Sequence, residues 1–186
     1  MRKSLLVQPA PFLPLMLLAA LLLAGCTGGP RPDPRVVVLS SAAATVPAAE
    51  TRMGRIEVAE YLQRRHPVWR ASETQLVERR DQFWGERIEA GIRRVLEAEL
   101  GALRPAMPAG ALYDVRIDRF EPGPDGRVAL WAGWQLMTGA GDAPRSGRFQ
   151  GTEAVTQGGG GGDEAAAVAA AMSRLLGQLA REMAAQ

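Results

Sequence analysis

The chain has 186 residues, with 22 Lys+Arg against 20 Asp+Glu, one His and one Cys, and 47% of it is hydrophobic. Removing residues 1–25 takes away Arg2 and Lys3 and no acid, so 20 basic and 20 acidic side chains remain and leave no electrostatic footprint for nucleic acid. One cysteine rules out an intramolecular disulfide, and the remaining length of about 160 residues suits one domain with one core.

Arg2 and Lys3 precede an apolar run, Phe12 to Ala24, in the layout of a secretory signal. The run has about 13 residues, whereas a spanning helix needs roughly 20. Pro11 and Pro14 also oppose a permanent transmembrane helix. The run ends Leu23-Ala24-Gly25-Cys26, small residues before a cysteine, which is how a bacterial lipoprotein begins. We therefore expect residues 1–25 to be a signal peptide, Cys26 the lipid attachment site, and 26–34 a lipidated tether rich in Gly and Pro. One acyl chain holds a protein only marginally, and the three of a mature bacterial lipoprotein hold it firmly. Thr27 stands where an Asp would favour inner-membrane retention in enteric-type sorting. Outer-membrane placement on the periplasmic face of a Gram-negative cell is the expectation.

Residues 35–186 read as a single periplasmic domain. The β-branched run Val36 to Leu39 reads as a buried strand, and Arg55 to Tyr61 as a second. Trp69 to Arg80 reads as extended, with a hairpin across Ala71 to Glu73. Phe83 to Leu103 carries Trp84, Ile88, Ile92, Val95, Leu96 and Leu103 at helical spacing. Asp81 is placed to cap that helix, and Glu89 to pair with Arg93. Tyr113, Val115 and Ile117 alternate with charge, and an Asp-Gly turn at 125–126 leads into a return strand, Arg127 to Met137. On that strand Val128, Leu130, Ala132, Trp134 and Leu136 share one face; Ala129, Trp131, Gly133, Gln135 and Met137 share the other. A turn at 139–144 leads to a strand over Ser146 to Thr156. The five glycines at 158–162 lack the residues of a phosphate loop and read as a flexible link. Asp163 then caps a helix from Glu164 to about Ala184, with a core stripe of Val168, Met172, Leu175, Leu179 and Met183. Strands, helix, strands, helix predicts an α+β two-layer sandwich: a mixed or antiparallel sheet with two helices packed on one face.

No catalytic, cofactor or metal site emerges. His66 has no cysteine partners for zinc and no nucleophile nearby. Asp114, Asp118 and Glu121 lie close along one strand, with Arg116 between the first two, and read as a solvated, ion-paired face. Trp131 is the one large aromatic expected on the open side of the sheet; with Met137 it marks a candidate partner interface, the competing reading being burial under the N-terminal segment.

Two stretches carry a resemblance. One is Ile56-Glu57-Val58-Ala59-Glu60-Tyr61-Leu62, followed by Phe83-Trp84-Gly85-Glu86-Arg87-Ile88 running into Ile92-Arg93-Arg94-Val95-Leu96. The other is Val115 to Glu121, through Gly126, to Trp134-Gln135-Leu136. With the cysteine motif and the Ala-rich last helix, the chain resembles the ABC-type transport auxiliary lipoproteins, of the paraquat-inducible (Pqi) intermembrane transport type. It departs in its Val-Val-Val-Leu first strand, in the length of its glycine run and in Trp131. The resemblance implies a non-enzymatic subunit, without cofactor, of an intermembrane lipid transport system. Its implied partners are a mammalian-cell-entry (MCE) domain protein in the periplasm and ABC transporter or permease subunits. It also implies docking on the end of an MCE tunnel and a homo-oligomeric ring. Two alternatives stay open. A module that itself binds a lipid or envelope glycolipid needs an enclosed apolar pocket. An envelope hydrolase needs His66 beside a Ser or a carboxylate.

Overall fold

The structure is a computed structural model and describes residues 34–43, 53–104, 107–108, 110–138, 145–156 and 163–186. The predicted signal peptide, Cys26, residues 27–33 of the tether, the turn at 139–144 and the glycine run lie outside these residues. The element order is β1 (Arg35–Val37), β2 (Met53–Val58), a 3-10 turn (Glu60–Leu62), β3 (Val68–Arg70), β4 (Leu76–Glu78), β5 (Gln82–Trp84), α1 (Ile88–Leu103), β6 (Leu112–Pro122), β7 (Arg127–Met137), β8 (Arg145–Ala154) and α2 (Glu164–Ala184). This is the expected α+β class.

The main sheet has the order β2-β6-β7-β8. β6 and β7 form the predicted hairpin, and its turn places Gly126 at φ 71°, in the left-handed region that glycine enters at little cost. β8 adds antiparallel, in unbroken register from Arg127↔Ala154 to Leu136↔Arg145. β2 adds parallel to β6, with Val58 opposite Ile117. Val128, Leu130, Ala132, Trp134 and Leu136 all turn into the core, as their alternation requires. They meet Ile92, Val95, Leu96 and Leu100 of α1 and the whole α2 stripe from Val168 to Met183. Trp134 lies edge-on to Tyr113 at 6.0 Å and against the bare backbone of Gly147, where a Cβ would sit 2.7 Å from the indole.

α2 begins as its sequence dictates. The Asp163 carboxylate accepts from Ala165 N–H at 3.0 Å and also pairs with Arg35 at 2.6 Å. Asp163→Ala removes a helix cap and is expected to cost about 1 kcal/mol of stability, measured by urea denaturation. The Arg35 pair is half exposed and adds little to that cost.

α1 departs from expectation. It starts at Ile88 rather than Phe83, because Gln82–Trp84 are drawn into β5 by parallel pairing with β1. The cap position is Arg87, which has no side-chain cap, and Asp81 lies beyond reach in the preceding turn. Arg93 does not engage Glu89. Its guanidinium donates to the carbonyls of Met53 and Gly54 at 2.9 and 2.7 Å and lies 3.8 Å from Glu97. Two backbone acceptors on β2 outcompete the one carboxylate of Glu89. β1 also differs from a buried run: Val37 and Leu39 are buried, whereas Val36 and Val38 are exposed.

Candidate docking surface

One irregularity decides what the open face of the sheet carries. On β6, Tyr113, Val115 and Ile117 point into the core and pair with Leu136, Trp134 and Ala132. The register then slips between Ile117 and Arg119, and from there Phe120 pairs with Leu130 in the core. The extra residue, Asp118, reverses the alternation. Without this bulge Arg119 and Glu121 would enter the core; with it they stand on the open face, opposite Trp131 and Ala129.

Glu121 is nevertheless fully buried. The β3–β4 hairpin closes over this end of the sheet, and the carboxylate is met from four directions. Arg70 Nε donates at 2.6 Å, Arg119 Nε at 2.9 Å, Tyr61 OH at 2.7 Å and Phe120 N–H at 3.0 Å. A buried carboxylate is tolerated only with such a complete set of donors. Burial, and then the hydrogen bond to Glu121, push the Tyr61 hydroxyl far above the ordinary phenol range, so it stays a donor. The bond to Glu121 likewise raises the Arg70 pKa. Glu121 is thus a correction to the solvated face read from the sequence. Asp118 is not: it pairs with Arg116 at 3.0 Å, both half exposed. The missed signal was the Phe120-Glu121-Pro122 step, where the in-out alternation of β6 breaks.

Trp131 stands beside this cluster, 42% exposed. Arg119, fixed by Glu121, places its guanidinium 5.2 Å from the Trp131 ring centre. The indole is therefore held from one side by a cation that is itself held. Ala129 is not part of an exposed patch, because it lies buried beside Glu121 under the hairpin. Met137, 44% exposed, sits six residues along β7 and pairs with exposed Leu112. At about 3.3 Å per residue, some 20 Å separates it from Trp131. Between them lies a shallow groove of about 710 Å³ over Gly133, flanked by Arg55, Glu57, Asp114, Arg116, Ser146 and Arg148. A Cβ at Gly133 would meet nothing within 4 Å. Glycine in a strand interior costs stability, and here the chain's own packing does not require it.

Among the described residues the layer interface is filled by side chains. Leu96 and Leu175 are fully buried there, and Trp84 packs against the same core. The recess among Leu62, Trp84, Ile88, Phe120 and Met172 holds about 10 Å³, room for one water at most. His66 is committed elsewhere: its Nδ1 donates to the Gln82 carbonyl at 2.7 Å, and its ring packs on Phe83. Among the described residues no group of three His, Cys, Asp or Glu could hold a metal.

Residues 35–184 match the family described as the ABC-type transport auxiliary lipoprotein component. The chain belongs to this family. Two crystal structures share the fold. One is of a protein described as uncharacterized, with TM-score 0.63 and 18% identity over 81% of this chain and 99% of that one. The other is a Xanthomonas campestris protein of the DUF330 family, with TM-score 0.54 and 17% identity over 80% of this chain and 91% of that one. No curated protein matches the sequence significantly. The lipoprotein is accordingly a component of an ABC-type transport system of the bacterial envelope.

Proposed function

We propose that this lipoprotein is anchored through Cys26 in the outer membrane, on its periplasmic face, and serves as the docking subunit of an MCE/ABC-type intermembrane lipid transport system. Its role is binding, not catalysis. The observation that carries this reading is the open face of the sheet, where a pinned aromatic, Trp131, stands two residues along β7 from Gly133, a groove-lining glycine that the isolated chain does not need. A partner backbone approaching Gly133 closely gives that glycine a reason. The filled interior supports docking over lipid carriage, since a carrier needs an enclosed apolar volume of several hundred Å³. The engagement of His66 with a backbone carbonyl gives a hydrolase reading no support. Copies of the lipoprotein form a ring in this scheme, which sedimentation of the detergent-solubilised protein would detect.

The lipoprotein purified from envelope extracts is expected to bring down an MCE-domain protein. Gly133→Val separates docking from folding. Valine suits a strand, so the variant is expected to unfold at the same or a higher urea concentration than the wild type. The same branched side chain fills the groove, and co-purification of the MCE protein should fall. A Gly133→Val chain that captures its partner as well as wild type would show that the groove is not the docking surface. Recovery of neither an MCE protein nor an ABC subunit by wild type would overturn the functional reading itself.

A further inference from the structure

A second exposed patch is carried by β1, β5 and residues 64–66, none of which borders the groove over Gly133. β1 and β5 pair in parallel, Val36 opposite Phe83 and Val37 opposite Trp84. Paired residues share a face of a sheet. Val37 and Trp84 turn inward, clustered with Ala165 and Ala169 of α2, so Val36 and Phe83 turn outward. Val38 follows Val36 by the same alternation. These valines are 68% and 52% exposed, and their methyls crowd over Gly85, where a Cβ would meet Val38 Cγ1 at 2.7 Å and Val36 Cγ1 at 3.1 Å. Phe83 carries the Arg65 guanidinium 4.9 Å from its ring centre. Arg65 in turn joins Arg64 and Arg87 around a recess of about 530 Å³, which Glu89 and Glu86, the latter paired with Arg94, also line. Neither Arg64 nor Arg87 has an ion-pair partner among the described residues.

We propose that this patch rests on the phospholipid headgroup layer of the membrane that holds the anchor, with Val36 and Val38 at the acyl boundary and the arginines on lipid phosphates. The proposal rests on the lipidation of Cys26. Its decisive support is covalent reach. Nine residue steps separate Cys26 from Arg35, the first residue of β1. Fully extended they span at most about 32 Å. β1 therefore stays within about 32 Å of the anchored cysteine whatever path the tether takes. Apolar tips beside unpaired arginines match that surface in both hydrophobicity and charge. Two valines would not hold a free protein on a membrane, but the anchor supplies the affinity, and the patch need only orient a domain already there at high effective concentration.

The lipidated chain has no other cysteine, so Val38→Cys introduces the only free thiol. The full-length lipidated variant, nitroxide-labelled and reconstituted in phosphatidylethanolamine–phosphatidylglycerol vesicles, reports collision with a water-soluble nickel chelate and with oxygen. Gln150→Cys, on the open face of β8, is the reference position. On vesicles the label at 38 is expected to lose nickel accessibility several-fold and gain oxygen accessibility relative to detergent, while the label at 150 does not change. Combining Val38→Cys with Arg64→Gln, Arg65→Gln and Arg87→Gln is expected to restore nickel accessibility without releasing the protein from vesicles. Equal accessibility at 38 and 150 in protein that floats with vesicles overturns the proposal and leaves the anchor intact. Protein that does not float overturns the anchor and the proposal together. Protection at 38 that needs an added transport partner assigns the patch to a protein and also overturns it.

Discussion

Glu121→Ala is expected to lower the unfolding free energy by about 3–5 kcal/mol, the scale seen when one partner of a buried charge pair is removed. The carboxylate is the common acceptor of Arg70, Arg119, Tyr61 and the Phe120 amide. Its removal strands two guanidiniums that are only 19% and 25% exposed. It also detaches the β3–β4 hairpin from the end of β6, because Arg70 is that hairpin's polar tie to the sheet. Glu121→Gln keeps the shape and an acceptor oxygen, so its loss should be smaller. Asp118→Ala, three residues earlier on the same strand, is the internal control. Its pair with Arg116 is half exposed, and an exposed pair is worth at most about 1 kcal/mol. Urea denaturation of the three variants measures the contrast; equal midpoints for Glu121→Ala and Asp118→Ala would refute a structural role for the buried carboxylate.

Trp131→Ala is expected to do the opposite: little to stability, much to binding. The side chain is 42% exposed and lies outside the core, so the unfolding free energy should change by only about 1 kcal/mol, the scale of its contact with Arg119. A tryptophan at the centre of an interface costs about 2–4 kcal/mol on truncation, a loss of roughly 30- to 1000-fold in affinity. Its position favours the upper part of that range. Arg119 and the Glu121 cluster hold the ring before a partner arrives, so little side-chain entropy is lost on docking. Titration of the proposed MCE-domain partner by biolayer interferometry would measure the effect. Binding unchanged within twofold would remove Trp131 from the interface. Glu121→Gln weakens the same contact indirectly, by loosening Arg119, and is expected to give an intermediate affinity.

Elements whose determinants are neighbours in sequence were legible from the sequence alone. α2 spans Glu164–Ala184 as read, because its stripe recurs every three to four residues and Asp163 supplies the cap. The β6–β7 hairpin follows from strict alternation on either side of an Asp-Gly turn. The start of α1 was not legible. Phe83 and Trp84 continue the helical spacing of Ile88 and Ile92, and only β1, more than 40 residues earlier, draws them into a strand. Arg93 shows the same contest, since a local partner four residues away loses to two carbonyls of β2.

The candidate docking surface divides along the same line. Alternation along β7 suffices to put Trp131, Gly133 and Met137 on the face opposite Trp134, and the residues before Cys26 suffice to suggest an anchored, exported chain. What surrounds Trp131 was settled by tertiary structure. One inserted residue at 118 moves Arg119 and Glu121 from core to open face, and a hairpin 51 residues upstream brings Arg70 over the carboxylate. Sequence periodicity reports the side of an element on which a residue lies. Whether that side meets water depends on which distant segment packs there, and a buried charge is tolerated only where such a segment brings donors to it.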